Sequence, residues 1–140
     1  MQYNLKRFTE AQEADYGLAL SEIKNGRKRS HWIWYIFPQM KGLGSSDISR
    51  FYAINSIEEA EAYLHDPILG DRLVEISQVL LDLPDNNATQ IFGTPDDLKL
   101  RSCMTLFASI PGAPEVFKNV LDKFFAGKED DKTLQILGKK

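Results

Sequence analysis

The chain has one cysteine, Cys103, and two histidines, His31 and His65, among 140 residues. A single thiol excludes an intrachain disulfide and any multi-cysteine metal site. Two histidines so far apart in sequence offer no metal-ligand spacing, and nothing among the twenty acidic residues singles out a carboxylate cation site. No metal and no cofactor are expected. Long apolar runs are missing too, so no segment reads as a membrane span, and Met1 to Glu10 lacks the apolar core of a secretory signal. The expected location is the cytoplasm. A net charge of −3 supplies no bulk attraction for nucleic acid. The only basic cluster, Lys24, Arg27, Lys28 and Arg29, reads as a solvated loop. Walker loop, dinucleotide fingerprint and Gly-x-Ser-x-Gly elbow are all absent, so no familiar reaction is indicated.

What is present is apolar content and helix punctuation. An apolar fraction of 43% with 26% charged residues builds a core, and the length suits one domain over residues 1–140. A helix from about Phe8 ends at Asn25-Gly26, with Ala11, Ala14, Leu18 and Ile23 near one face. Ser45 or Ser46 caps a helix through Ile48, Phe51 and Tyr52. Ser56 with Glu59 forms a capping box. Asp66-Pro67 opens a helix whose apolar face holds Ile68, Leu69, Leu73, Ile76, Val79, Leu80 and Leu83. Thr94-Pro95-Asp96-Asp97 starts another that reaches Ile110. Pro114 begins one with Val116, Phe117, Val120, Leu121, Phe124 and Phe125 on one side, and a short helix covers Lys132 to Leu137. Strand signal is confined to His31–Phe37. The expectation is an all-α, single compact domain of about six to eight helices around a central aromatic-rich segment.

That segment, Ser30 to Gln39, is the least ordinary part of the chain. It carries four aromatics, and each buries about 150–250 Å² when packed. Packing is the first expectation; a pocket lined by Trp32, Trp34, His31 and Gln39 is the second, and the two can coexist. Lys41, Gly42, Gly44, Ser45 and Ser46 follow, where a tight turn and a helix start can hold an anion. On the helix after Pro95, Leu100, Cys103, Met104, Phe107 and Ile110 form an apolar stripe. Asp97, Arg101 and Thr105 share its narrow polar strip, and Asp97 and Arg101 can pair there. Cys103 reads as an inert core thiol.

Several stretches carry a resemblance. They are Phe8–Gln12, Gly26–Gly44, Ala62–Leu73, Phe92–Phe107 and Phe125–Asp130. Together they resemble the bacterial domain of unknown function numbered 1810, over nearly the whole chain. The resemblance implies a compact all-α domain and assigns no activity or site residue. Some members carry the label calpastatin, an inhibitor that is extended and disordered when free; a chain with this apolar content does not match that description.

Residue chemistry alone therefore ranks the functions. The first is an uncharacterised soluble domain that binds, and in one version acts on, a small anionic or nucleotide-like metabolite. Trp32, Trp34, Gln39, Lys41, Gly42, Gly44, Ser45 and Ser46 would bind it, with His31, Asp97 and Arg101 as catalytic candidates. A concave pocket bordered by both the aromatic segment and the Pro95 helix would mark this reading. The alternative is a protein-interaction or homodimerisation module using an exposed tryptophan or surplus apolar surface on the Phe117–Phe125 helix.

Overall fold

A computed structural model describes residues 3–138, and among them nine helices follow one another in chain order. The first, α1, runs Lys6–Lys24. Its buried stripe is Phe8, Gln12, Ala19 and Ile23, joined by Arg7 and Glu22. This corrects the face read from sequence: Ala14 is exposed and Leu18 is 47% exposed. The inward stripe is partly polar because its polar members carry hydrogen bonds to neighbouring segments, which periodicity of apolar residues alone does not register.

The aromatic segment forms α2 (Ile33–Ile36), a single helical turn rather than a strand. The capped helices start where the sequence indicated. Ser46 Oγ accepts from Ser49 N at 3.2 Å to open α3 (Asp47–Phe51), and Ser56 Oγ accepts from Glu59 N at 3.1 Å to open α4 (Ile57–His65). Asp66 accepts from the amides of Ile68 and Leu69, both at 2.9 Å, ahead of α5 (Leu69–Asp82). A short α6 (Ala88–Phe92), capped by Asn87, has no counterpart in the sequence reading. Then come α7 (Asp96–Ala108), α8 (Val116–Phe125) and α9 (Asp131–Ile136).

Helix α7 packs against α4, α6, α8 and α9, as expected of a helix apolar around most of its circumference. Leu100, Cys103, Met104, Leu106 and Phe107 are all fully buried. Burial pushes the Cys103 thiol pKa well above its ordinary value, so the group is neutral packing. Helix α8 turns Phe117, Val120, Leu121 and Phe124 inward against α5 and α7. Little of its apolar face is therefore left as surplus surface. Lys123 at its end donates to the carbonyls of Leu80 and Leu81, both at 3.0 Å, and so serves as a cationic cap for α5. No described helix is long and apolar enough to cross a membrane.

Two glycines show how differently one residue type is used. Gly70 sits where α5 turns away from α4, and a Cβ there would lie 1.9 Å from the Leu64 carbonyl oxygen. Gly17, in the middle of α1, has nothing within 4 Å of that position. Gly17→Ala is expected to stabilise the protein by about 0.4–1 kcal/mol, through reduced chain entropy in the unfolded state. Gly70→Ala should destabilise it by more than that gain. Urea unfolding midpoints of the two variants test the contrast.

Candidate functional site

The aromatic segment is held to α1 by one carboxylate. Glu22, nearly buried, accepts from the amides of Arg29 (2.8 Å) and Ser30 (3.0 Å), the Ser30 hydroxyl (2.6 Å) and the Trp32 indole N–H (2.9 Å). Burial by itself would raise its pKa, but the four hydrogen bonds outweigh it and hold the carboxyl at about 2. Gln12 adds a second tie, donating to the Tyr35 carbonyl at 2.7 Å. Trp32 is thereby fixed in the core with no exposed surface, beside Phe37 and Phe92. It offers no face to a ligand. Lys28 is also drawn inside, with its ammonium 2.9 Å from Asp96 and 5.0 Å from the Trp32 ring centroid. Of the basic cluster, Arg27 and Arg29 lie exposed in the loop expected, and Lys24 is exposed at the end of α1.

Beyond Pro38 the chain pairs with a segment that follows α3. Ile54 N donates to the Gln39 carbonyl and Lys41 N to the Ile54 carbonyl, both at 2.8 Å, forming a parallel bridge between Met40 and Ile54. The loop so closed carries α3 and surrounds a hollow of about 320 Å³. Trp34 and Tyr52 give it aromatic walls, Gln39, Ser49 and Asn55 neutral polar groups, and Lys41 and Arg50 its charge. No carboxylate is among the lining residues. Gly44 is required by packing, because a Cβ there would lie 2.6 Å from Ser49 Cβ. Gly42 has φ 102°, in the region that favours glycine.

The far limb of the loop is fastened by Arg7. Its guanidinium donates to the carbonyls of Phe51 and Ala53, both at 2.8 Å, to Asn4, and to the Glu59 carboxylate at 3.1 Å. Glu59 in turn accepts from the Asn55 amide at 2.7 Å and its side-chain N–H at 3.1 Å, which fixes Asn55 at the edge of the hollow. Arg7 and Glu59 are both buried. Such a pair holds together only with its remaining donors and acceptors satisfied, and here the loop backbone satisfies them.

Five of the residues singled out from sequence thus meet at the hollow: Trp34, Gln39, Lys41, Gly42 and Gly44. Ser45 and Ser46 do not line it. Ser46 is occupied in capping α3, whose first turn also contains Asp47. His31 is exposed and lies outside the lining. Asp97 is buried, accepting from Thr89 at 2.6 Å and Thr94 at 3.4 Å, and does not pair with Arg101. Arg101 turns to Asp130 at 3.6 Å and borders a separate hollow with Lys128 and Leu134. Arg50, Tyr52 and Asn55 were missed by sequence reasoning. Only the Met40–Ile54 pairing, more than a dozen residues apart, brings them to the site.

A neighbouring hollow of about 300 Å³ is bordered by Gln39, Leu43 and Gly44 on one side and by Pro95, Leu98, Lys99 and Ser102 on the other. Of the aromatic segment only Gln39 borders it, and neither Asp97 nor Arg101 is among its lining residues.

Fold and site together define an all-α protein with a side-chain-built, cation-bearing hollow beside its aromatic segment. The chain belongs to the family described as protein of unknown function, DUF1810, whose sequence model matches residues 2–137. It is similar to the conserved hypothetical protein Rv1873 from Mycobacterium tuberculosis, with 45% identity, 97% of each chain covered and a TM-score of 0.95. No curated protein matches it. Neither description assigns an activity.

Two measurements check this construction. The depressed Glu22 pKa means that the unfolded chain binds more protons than the folded one between about pH 4.5 and about pH 2. Its stabilising contribution is therefore complete above that window and is lost as pH falls through it. Glu22→Gln should be less stable than wild type at neutral pH, and its urea midpoint should vary less with pH across the same window. Arg7→Met, which strands a buried carboxylate, is expected to destabilise by about 3–5 kcal/mol in equilibrium unfolding.

Proposed function

We propose that the hollow enclosed by residues 39–55 binds a small anionic metabolite, nucleotide-like in carrying a planar group together with its charge. The observation that carries this reading is the composition of the lining: two cations, no carboxylate, and two aromatic side chains around about 320 Å³. A volume of that size lies within the range of small-molecule sites. Lys41 and Arg50 supply attraction that neighbouring acids in the lining do not cancel, and Arg50 can grip a phosphate or carboxylate through two parallel hydrogen bonds. Trp34 or Tyr52 provides a face for a ring. The reading is of binding: the lining contains no histidine, cysteine or carboxylate to move a proton near neutral pH, so no catalytic role is assigned to it. A cytoplasmic setting suits a chain whose single thiol is shut in the core.

A second reading, association with a protein partner or another copy, has one observation in its favour. Ile48 and Phe51, three residues apart on α3, are 39% and 56% exposed.

The test is isothermal titration with adenosine monophosphate, supported by thermal shift. Lys41→Ala and Arg50→Ala are each expected to weaken binding by about tenfold, or about 1.4 kcal/mol, and both residues are exposed enough for the variants to fold. Affinity should also fall as salt is added. Absence of binding to this and other small phosphorylated or carboxylated compounds would remove the proposal. A concentration-dependent dimer abolished by Phe51→Ser in sedimentation would support the second reading.

A further inference from the structure

The second hollow borders the first. Gln39 and Gly44 line both. Trp34 lines the first and Lys99 the second; the Lys99 ammonium, paired with Asp96 at 3.4 Å, lies 5.3 Å from the Trp34 ring centroid and so spans the saddle beside them. Gly44 carries no side chain, and close packing against Ser49 prevents it from carrying one.

Both hollows are lined mostly by apolar surface. The first sets Lys41 and Arg50 beside an aromatic wall. The second has an apolar wall of Leu43, Pro95 and Leu98, with Lys99 and Lys132 also among its lining residues. Its single carboxylate, Asp130, is already engaged, taking Arg101 at 3.6 Å and capping α9 through Thr133 N at 2.9 Å. Leu98 is 48% exposed on a helix that otherwise buries its large apolar side chains. A ligand face resting on it would give that exposure a purpose. Each hollow alone lies at the small end of the range of about 300–1,000 Å³ typical of ligand sites, whereas a ligand crossing the saddle would use both.

We propose that the two hollows form one bipartite site for an elongated anionic ligand of dinucleotide size, bearing a ring at each end. The inference rests on the anion reading of the first hollow and extends it. The charged middle of the ligand crosses Gln39 and Gly44 under Lys41 and Arg50. One ring lies against Trp34 or Tyr52, and the other lies on the Leu43–Pro95–Leu98 wall between Lys99 and Lys132.

The probes are adenosine monophosphate and diadenosine pyrophosphate, titrated calorimetrically into the full chain. Wild type should bind the pyrophosphate at least about tenfold tighter than the monophosphate. Leu98→Glu, and separately Lys132→Glu, should bring that ratio down toward one, while Lys41→Ala weakens both probes. Circular dichroism checks the fold of each variant; Leu98 and Lys132 are both exposed, so either substitution can carry the test. Equal affinities in wild type, or a ratio that survives both second-hollow variants, would overturn the bipartite site and leave the first hollow's reading standing. Failure of the pyrophosphate alone to bind would likewise overturn only the bipartite site. Failure of both probes and of the other small phosphorylated or carboxylated compounds at millimolar concentration would overturn both readings.

Discussion

The carboxylate of Glu22 does for this fold what a sheet edge does in others: it gives a non-repetitive stretch a fixed place to attach. Four donors from residues 29–32 converge on it, and one of them is the N–H of a tryptophan with no surface left in water. An indole can be fully buried only if that N–H has a partner. Once Trp32 is set, α2 has one orientation, and the side chains of the segment divide their duties at helical spacing. Ile33, Ile36 and Phe37 go inward with Trp32, while Trp34 and Gln39 remain at the surface of the hollow. The segment thus divides, residue by residue, between the core and the lining of the hollow.

The other limb of the site depends on a different charge. Arg7 reaches from the first turn of α1 to carbonyls just after α3, and Glu59 reaches back from α4 to Asn55. Taking both charges from water is costly. The compensation is the satisfaction of backbone groups in a segment too irregular to satisfy its own. Two ends of one helix, α1, therefore hold the two limbs of the loop, at Arg7 and at Glu22.

Much of the architecture was legible because helix starts are local events. Ser46 and Ser56 cap where their spacing indicated, and Asp66 accepts from the two amides just ahead of α5. The apolar faces of α5, α7 and α8 followed from their period except at Ile68, which precedes α5 and is 49% exposed. Local rules failed where the determinant was distant. The β-branched and aromatic composition of His31–Phe37 signals a strand, but a lone strand has nothing to pair with, and bonds to α1 hold the segment as a helical turn. The short α6 is a five-residue element with little periodicity to read. At the site, Lys41, Gly42 and Gly44 could be found because they adjoin the aromatic run. Arg50, Tyr52 and Asn55 could not, since their presence depends on a long-range backbone pairing. Asp97 and Arg101 were placed on one polar strip correctly, yet Thr89 and Asp130 were better partners than each other.

Helix α3 buries none of its five residues. It is tethered by the bonds at its two ends and by little packing between them. Amide exchange in proteins follows local opening, and a segment with few buried contacts opens at a small fraction of the cost of global unfolding. The wall of the hollow that carries Ser49 and Arg50 therefore has little packing of its own to hold it. A ligand that joins Arg50 to Lys41 across the hollow adds its binding free energy to this local equilibrium, so occupancy would show first as slowed exchange in α3, ahead of any change in the core.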